Sequence, residues 1–103
     1  MNIATIQNGD QVHIVLRGVV DEKGAEELKQ HVVQLNLHSV REVIIDCREV
    51  RHIGSSGIGK MLLIYKQLAS RGGAFSVINL PDPMFELFNE LKLNTLFTIS
   101  LTS

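Results

Sequence analysis

The stretch Val43-Ile44-Ile45-Asp46-Cys47-Arg48-Glu49-Val50-Arg51-His52-Ile53-Gly54-Ser55-Ser56-Gly57-Ile58-Gly59 decides how this chain folds. Three β-branched apolar residues run into an acid, a short polar connection follows, and two hydroxyls stand between glycines. The near-continuous apolar run Glu42 to Cys47 predicts a central strand covered on both faces. Helical periodicity begins directly after the serines, so Ser55 and Ser56 fall at the amino end of a helix. There the first backbone N–H groups lack intrahelical partners and the helix dipole favours an anion. A serine so placed can carry a phosphate without unfolding its host.

Working outward, the second helix is the best-defined element. Ile58, Met61, Leu62, Tyr65, Leu68 and Ala69 form one apolar stripe, and Arg71-Gly72-Gly73 is its stop. On the amino side, Val12, Ile14 and Leu16 alternate with His13, Val15 and Arg17, the period of a strand with one face more strictly buried. Asn8-Gly9-Asp10 is hairpin-turn chemistry, which makes Ile3 to Gln7 the antiparallel partner of that strand. Ala25, Leu28, Val32 and Leu35 recur at helical spacing behind Asp21, a residue type suited to a helix cap. On the carboxyl side, Phe75, Val77 and Leu80 predict a further strand. Asp82 as cap and Pro83 in the first turn then open a third helix, with the stripe Met84, Leu87, Phe88 and Leu91. Phe97 to Leu101 is a last short strand or a docked tail. Right-handed crossovers turn this order into an α/β fold, a small mixed sheet packed with helices.

The 103 residues suffice for one modest core, so residues 1–103 read as a single domain. Hydrophobic residues make up 45% and charged residues 20%, which excludes a disordered chain. A net charge of -1 gives no electrostatic basis for direct binding of nucleic acid or an acidic membrane. No apolar run is long enough to cross a bilayer, and the start lacks the pattern of a signal peptide, so a cytoplasmic protein is expected. Cys47 is the single cysteine, which rules out an internal disulfide and a cysteine-built metal site. His13, His31, His38 and His52 show no ligand spacing, and no cofactor or metal is expected.

Three catalytic patterns nearly match around the serines. Gly54 to Lys60 fits the opening of a P-loop, but Met61 occupies the place of the Mg²⁺-binding hydroxyl, and the polar connection separates the loop from its strand. A dinucleotide fingerprint would need glycine at Leu62, and a nucleophile elbow would need glycine at Ile58. Asp46 and Asp21 each have a structural explanation, the first as acceptor for N–H groups of the following loop and the second as a cap. For Ser55 and Ser56 the residues alone leave two readings open: one hydroxyl caps the helix and the other is solvated, or the pair contains a phosphorylation site.

Gly18-Val-Val-Asp21 before an amphipathic helix, Val43-Ile-Ile-Asp46, and His52-Ile-Gly-Ser-Ser-Gly-Ile-Gly59 before a long helix resemble the STAS domain, and most closely the bacterial anti-sigma factor antagonists. Gly72-Gly73 and Leu91-Lys-Leu-Asn-Thr-Leu-Phe97 extend the resemblance over nearly the whole chain. It implies a STAS-like fold with no catalysis of its own. It also implies partner switching: binding to a GHKL-type anti-sigma factor serine kinase releases a sigma factor. Phosphorylation of the second serine, Ser56, ends that binding, and a PP2C-type phosphatase reverses it. The partner-binding positions so implied are Asp21, Ser55, Ser56, Gly57 and Lys60, with Gly57 and Lys60 taken as exposed contacts. The chain departs from many family members at Gly54, where they carry Asp beside the acceptor, and this bears on kinase recognition. The alternatives are a STAS regulatory or scaffold subunit of another assembly (a stressosome, a lipid-transport complex or a secretion regulator) and a nucleotide-binding enzyme using Gly54 to Lys60.

Overall fold

The computed structural model describes residues 1–102. Its strands are β1 (Asn2–Asn8), β2 (Gln11–Val20), β3 (Glu42–Ile53), β4 (Ala74–Leu80) and β5 (Thr98–Leu101), and its helices α1 (Glu22–Val33), α2 (Ser55–Ala69) and α3 (Asp82–Glu90). Single 3-10 turns lie at Leu37–Ser39 and Leu93–Thr95. The sheet order is β1-β2-β3-β4-β5, with β1 antiparallel to β2 and the other neighbours parallel.

That order places the helices. Each parallel step moves one strand in the same direction, and a right-handed crossover then puts every connecting helix on the same face. Burial follows suit. Val12, Ile14, Leu16, Val43, Ile45, Cys47, Phe75 and Val77 are buried beneath the helices. The residues that alternate with them, His13, Val15, Ile44, Asp46, Ser76 and Ile78, are only partly covered. The expected coverage of β3 on both faces is therefore corrected: the run Val43-Ile44-Ile45 has one open side, where Ile44 lies among its neighbours on adjacent strands. The helices contribute Leu28, Met61, Ile64, Leu68, Met84 and Phe88 to the same core. Phe88 is fully buried, and a side chain of that kind stabilises by roughly 1.5–3 kcal/mol relative to an exposed one. Phe97 closes one end, edge-on to Phe75 with ring centroids 4.9 Å apart.

The largest departure from the sequence reading is the length of β3. The polar connection Arg48 to Ile53 is strand, paired with β2 as Arg17↔Glu49, Gly18↔Val50, Val19↔His52 and Val20↔Ile53. Two register shifts each insert one extra residue into β3, so its buried positions become Cys47, Val50 and Ile53, three apart. A bulge abolishes the period of two by which a strand is recognised. Gly18 sits beside the second shift at φ +99°, a conformation that L side chains rarely adopt.

Two helix details also differ. α3 begins one residue earlier than expected: Pro81 is the N-cap, Asp82 is already helical, and no side chain caps the end. In α2 the buried line is Gly57, Ile58, Met61, Ile64 and Leu68, with Leu62 and Tyr65 partly buried and Ala69 exposed. Met61 to Tyr65 are all apolar, so periodicity alone leaves the rotation of the helix open. Close approach at Gly57 decides it.

Candidate functional site

The carboxyl end of β3 delivers the serines. Gly54 is the N-cap of α2, extended at φ -81° and ψ 176°, and its N–H donates to the Val20 carbonyl at 2.9 Å. Ser55 and Ser56 are the first two helical residues, both exposed, and no side chain caps the helix. Neither serine is therefore a capping residue, and the first-turn N–H groups stay available to an anion. α1 opens from the same end of the sheet. Asp21 is its N-cap, and the Asp21 Oδ1 accepts from the Gly24 N–H at 2.8 Å.

α1 and α2 lie side by side, and a shallow groove of about 360 Å³ runs between their first turns, lined by Glu22, Ala25, Glu26, Ser56, Gly59, Lys60 and Leu63. Ser56 and Lys60 thus share one surface, one helical turn apart on α2. The Lys60 Nζ stands 4.0 Å from Glu26 Oε2 across the groove. Asp21 lines a separate depression of about 460 Å³ with Arg17, Gly18, Lys23 and Arg51 among others. Ser55 is exposed but lines neither.

Gly57 corrects an expectation. It is buried, and a Cβ there would stand 2.7 Å from Val20 Cγ1 and 2.9 Å from Ile53 Cγ2. It faces the sheet and is no exposed contact. Its role is to let α2 seat on the ends of β2 and β3, which holds Ser56 outward. Sequence reasoning missed Glu22, Glu26, Gly59 and Leu63. Gly59 and Leu63 carried a signal, lying three and seven residues beyond Ser56 on the same helical face. The carboxylates carried none, because their approach is tertiary.

The P-loop pattern ends here as well. β3 reaches Ile53, so the strand does lead directly to Gly54, contrary to the separation read from the polar connection. From Ser55 onward, however, the segment is helix, with the Ile58 N–H donating to the Gly54 carbonyl at 3.1 Å. A phosphate-cradling loop needs those amides turned inward around the ligand. Asp46 accepts from the Arg48 N–H at 3.0 Å, beside the first bulge of β3, and from the Asn79 side-chain amide on β4 at 3.2 Å, so the segment it serves is strand and not the loop expected. Cys47 is buried, and desolvation, with the Asp46 carboxylate beside it, pushes its thiol up to about 12. Among the described residues no three His, Cys, Asp or Glu side chains gather as a metal site, and no helix is long and apolar enough to cross a membrane.

A family model described as "Mlab, STAS domain" matches residues 3–101, and the chain belongs to the STAS family. Within it, the chain is similar to proteins named as anti-sigma factor antagonists. It is 24% identical over 103 residues to the anti-sigma-B factor antagonist of Bacillus subtilis, covering all of this chain and 94% of that protein. The fold is shared with a putative anti-sigma factor antagonist from Thermotoga maritima at TM-score 0.87 and 17% identity, over 95% of this chain and 85% of the other. The Bacillus cell fate determinant SpoIIAA in its phosphorylated form superimposes at TM-score 0.78 and 19% identity, over 99% and 93%.

Proposed function

We propose that this protein is an anti-sigma factor antagonist that works by partner switching, with Ser56 as its phosphorylated residue. Unmodified, it binds an anti-sigma factor serine kinase of the GHKL type and so frees a sigma factor. Phosphorylated, it releases that partner, and a PP2C-type phosphatase restores it. The observation that carries this reading is the position of Ser56: exposed on the first turn of α2, free of any capping role, and set on a groove with charged walls. Asp21, Ser55 and Lys60 belong to the contact surface. Gly57 belongs to the support beneath it.

The switch is electrostatic. A phosphoserine brings about -1.5 to -2 charges at neutral pH. The helix amino end and Lys60, one turn on, offset that charge within the domain. Glu22 and Glu26 on the facing wall do not, and neither would a partner surface shaped to the neutral hydroxyl. Binding free energy therefore changes while the fold persists.

The test is incubation with the cognate kinase and ATP. One phosphate should appear on the peptide containing Gly54 to Lys60, and Ser56→Ala should abolish it. Loss on Ser55→Ala with retention in Ser56→Ala would move the assignment to Ser55. A second reading, a STAS scaffold subunit of another assembly, draws on Gly54, which lacks the carboxylate that many antagonists place beside the acceptor. It predicts no phosphate transfer from any such kinase.

A further inference from the structure

The two edges of the sheet are unlike. β5 is four residues long and its pairing with β4 is broken by a register shift, so it offers a poor template for another strand. β1 is seven residues, Asn2-Ile-Ala-Thr-Ile-Gln-Asn8, in unbroken register with β2 from Asn2↔Arg17 to Asn8↔Gln11. It contains no charged residue, no proline and no bulge, the usual devices against edge pairing. Ile6, on the open face, is 63% exposed.

The hairpin decides which backbone groups are free. A two-residue turn at Gly9-Asp10 makes Asn8 and Gln11 a hydrogen-bonded pair. Antiparallel ladders alternate, so Ile6, Ala4 and Asn2 also bond to β2, while the N–H and C=O groups of Ile3, Thr5 and Gln7 point outward. Thr5 is the midpoint of the strand. Its Oγ1 is also the one buried side-chain polar atom without a hydrogen-bond partner among the described residues.

We propose that a second copy of this chain pairs through β1, antiparallel about a two-fold axis at Thr5, to make one continuous ten-stranded sheet. Because the midpoint residue points outward, all seven residues find mates: Thr5 opposite Thr5, Ile3 opposite Gln7, Ala4 opposite Ile6, and Asn2 opposite Asn8. Each copy presents the same patch, as an isologous dimer requires. A threonine–threonine pair can hydrogen-bond across strands, which gives the Thr5 hydroxyl the partner it lacks. Ile6 gains cover from the strand beyond it, next to the small Ala4. The strand brings no side-chain charge to the axis. The flanking groove between β1 and α1 is mixed in sign, with Lys23, Glu26, Glu27 and His31, so no single-signed field opposes approach. The groove holding Ser56 lies on the other flank of α1, so dimerisation leaves it open.

Sedimentation equilibrium on the full chain, from micromolar to millimolar concentration, tests this. The mass should rise from one chain to two. Ile6→Lys, a change at an exposed position, should weaken the dimer at least about tenfold while the dilute protein keeps its melting temperature. Thr5→Cys should form a disulfide across the two-fold axis, between the substituted positions of two chains, under oxidised glutathione. Opposed residues of a hydrogen-bonded antiparallel pair have Cα atoms about 5.5 Å apart, within disulfide range. Buried Cys47 will not compete. A mass fixed at one chain throughout overturns the proposal. So does a dimer that Ile6→Lys leaves as tight as before, or one in which Thr5→Cys chains stay unlinked, since the contact would then lie elsewhere.

Discussion

Gly57 lies so close to Val20 that a Cβ on the glycine would stand 2.7 Å from Val20 Cγ1, inside the distance at which carbon atoms repel. Val20 is the last residue of β2 and is fully buried, and Ile53, the last residue of β3, stands nearly as close on the other side. Both are β-branched and stiff, so neither can swing away. The serine helix rests on the sheet at this point. Gly57→Ala should therefore destabilise by about 1–3 kcal/mol in urea unfolding, and Gly57→Leu by more. A neutral Gly57→Ala would mean that α2 can lift without loss, and its first turn would not be a fixed platform for Ser56.

Asp21 provides the matching anchor for α1. Its carboxylate accepts the Gly24 N–H at 2.8 Å. Asp21→Ala should cost about 0.5–2 kcal/mol by thermal unfolding, and Asp21→Asn should restore most of it, because an amide oxygen caps nearly as well. Should Asp21→Asn keep stability but lose the kinase, the residue has a contact role beyond the cap.

Charge at Ser56 should spare the fold and damage the complex. Ser56→Glu sits on the first turn of α2, where an acidic side chain gains about 0.3–1 kcal/mol from the helix amino end, offset in part by Glu22 and Glu26 across the groove. Its melting temperature should match the parent within a few degrees. Titration calorimetry with the kinase should show at least about tenfold weaker binding for Ser56→Glu and parent-like binding for Ser56→Ala. Unfolding of Ser56→Glu would refute a switch confined to binding.

Lys60 reaches Glu26 at 4.0 Å on a partly exposed surface, so the pair itself is worth only about 0–1 kcal/mol. Lys60→Glu should accordingly change stability little. It turns a mixed groove into an acidic one, and the association rate with the kinase should change and acquire a different salt dependence. An unchanged rate at low and high salt would remove Lys60 from the contact surface.

Cys47 supplies a pH dependence whose sign follows from its shift. Its thiol moves from an ordinary value of 9.0 to about 12 in the folded chain, first through burial and then through the Asp46 carboxylate. Between those values the unfolded state has lost the proton and the native state has kept it, so the unfolded state binds fewer protons. Stability falls with rising pH wherever that holds. The contribution is complete below pH 9.0 and drains away toward pH 12. Cys47→Ala should flatten the decline in denaturation curves across this window. A thiol reagent at mildly alkaline pH should label the parent only as fast as it unfolds.

Much of this was written locally. The alternation Val12-Ile14-Leu16, the turn Asn8-Gly9-Asp10, the cap at Asp21, the stop at Gly72-Gly73 and the helix after the serines are all set by near neighbours along the chain. Short-range sterics and hydrogen bonding suffice for such elements, so pattern alone located them. The same local chemistry put Ser55 and Ser56 at a helix amino end.

The tertiary structure decided what depends on distant segments. β3 extends to Ile53 because β2 supplies partners for Arg48 to Ile53 through two bulges, and a bulge has no period to read. The open face of the sheet follows from strand order, which sequence patterns do not encode: Ile44 reads as core and is half-covered. Gly57 reads as an exposed contact beside a serine, yet it is buried against the stiff ends of β2 and β3, and that packing sets the rotation of α2. Rotation in turn places Ser56 and Lys60 opposite Glu22 and Glu26, which lie on a different helix far earlier in the chain. Residue types were local information. Which of them meet was settled only when the helices packed on one side of the sheet.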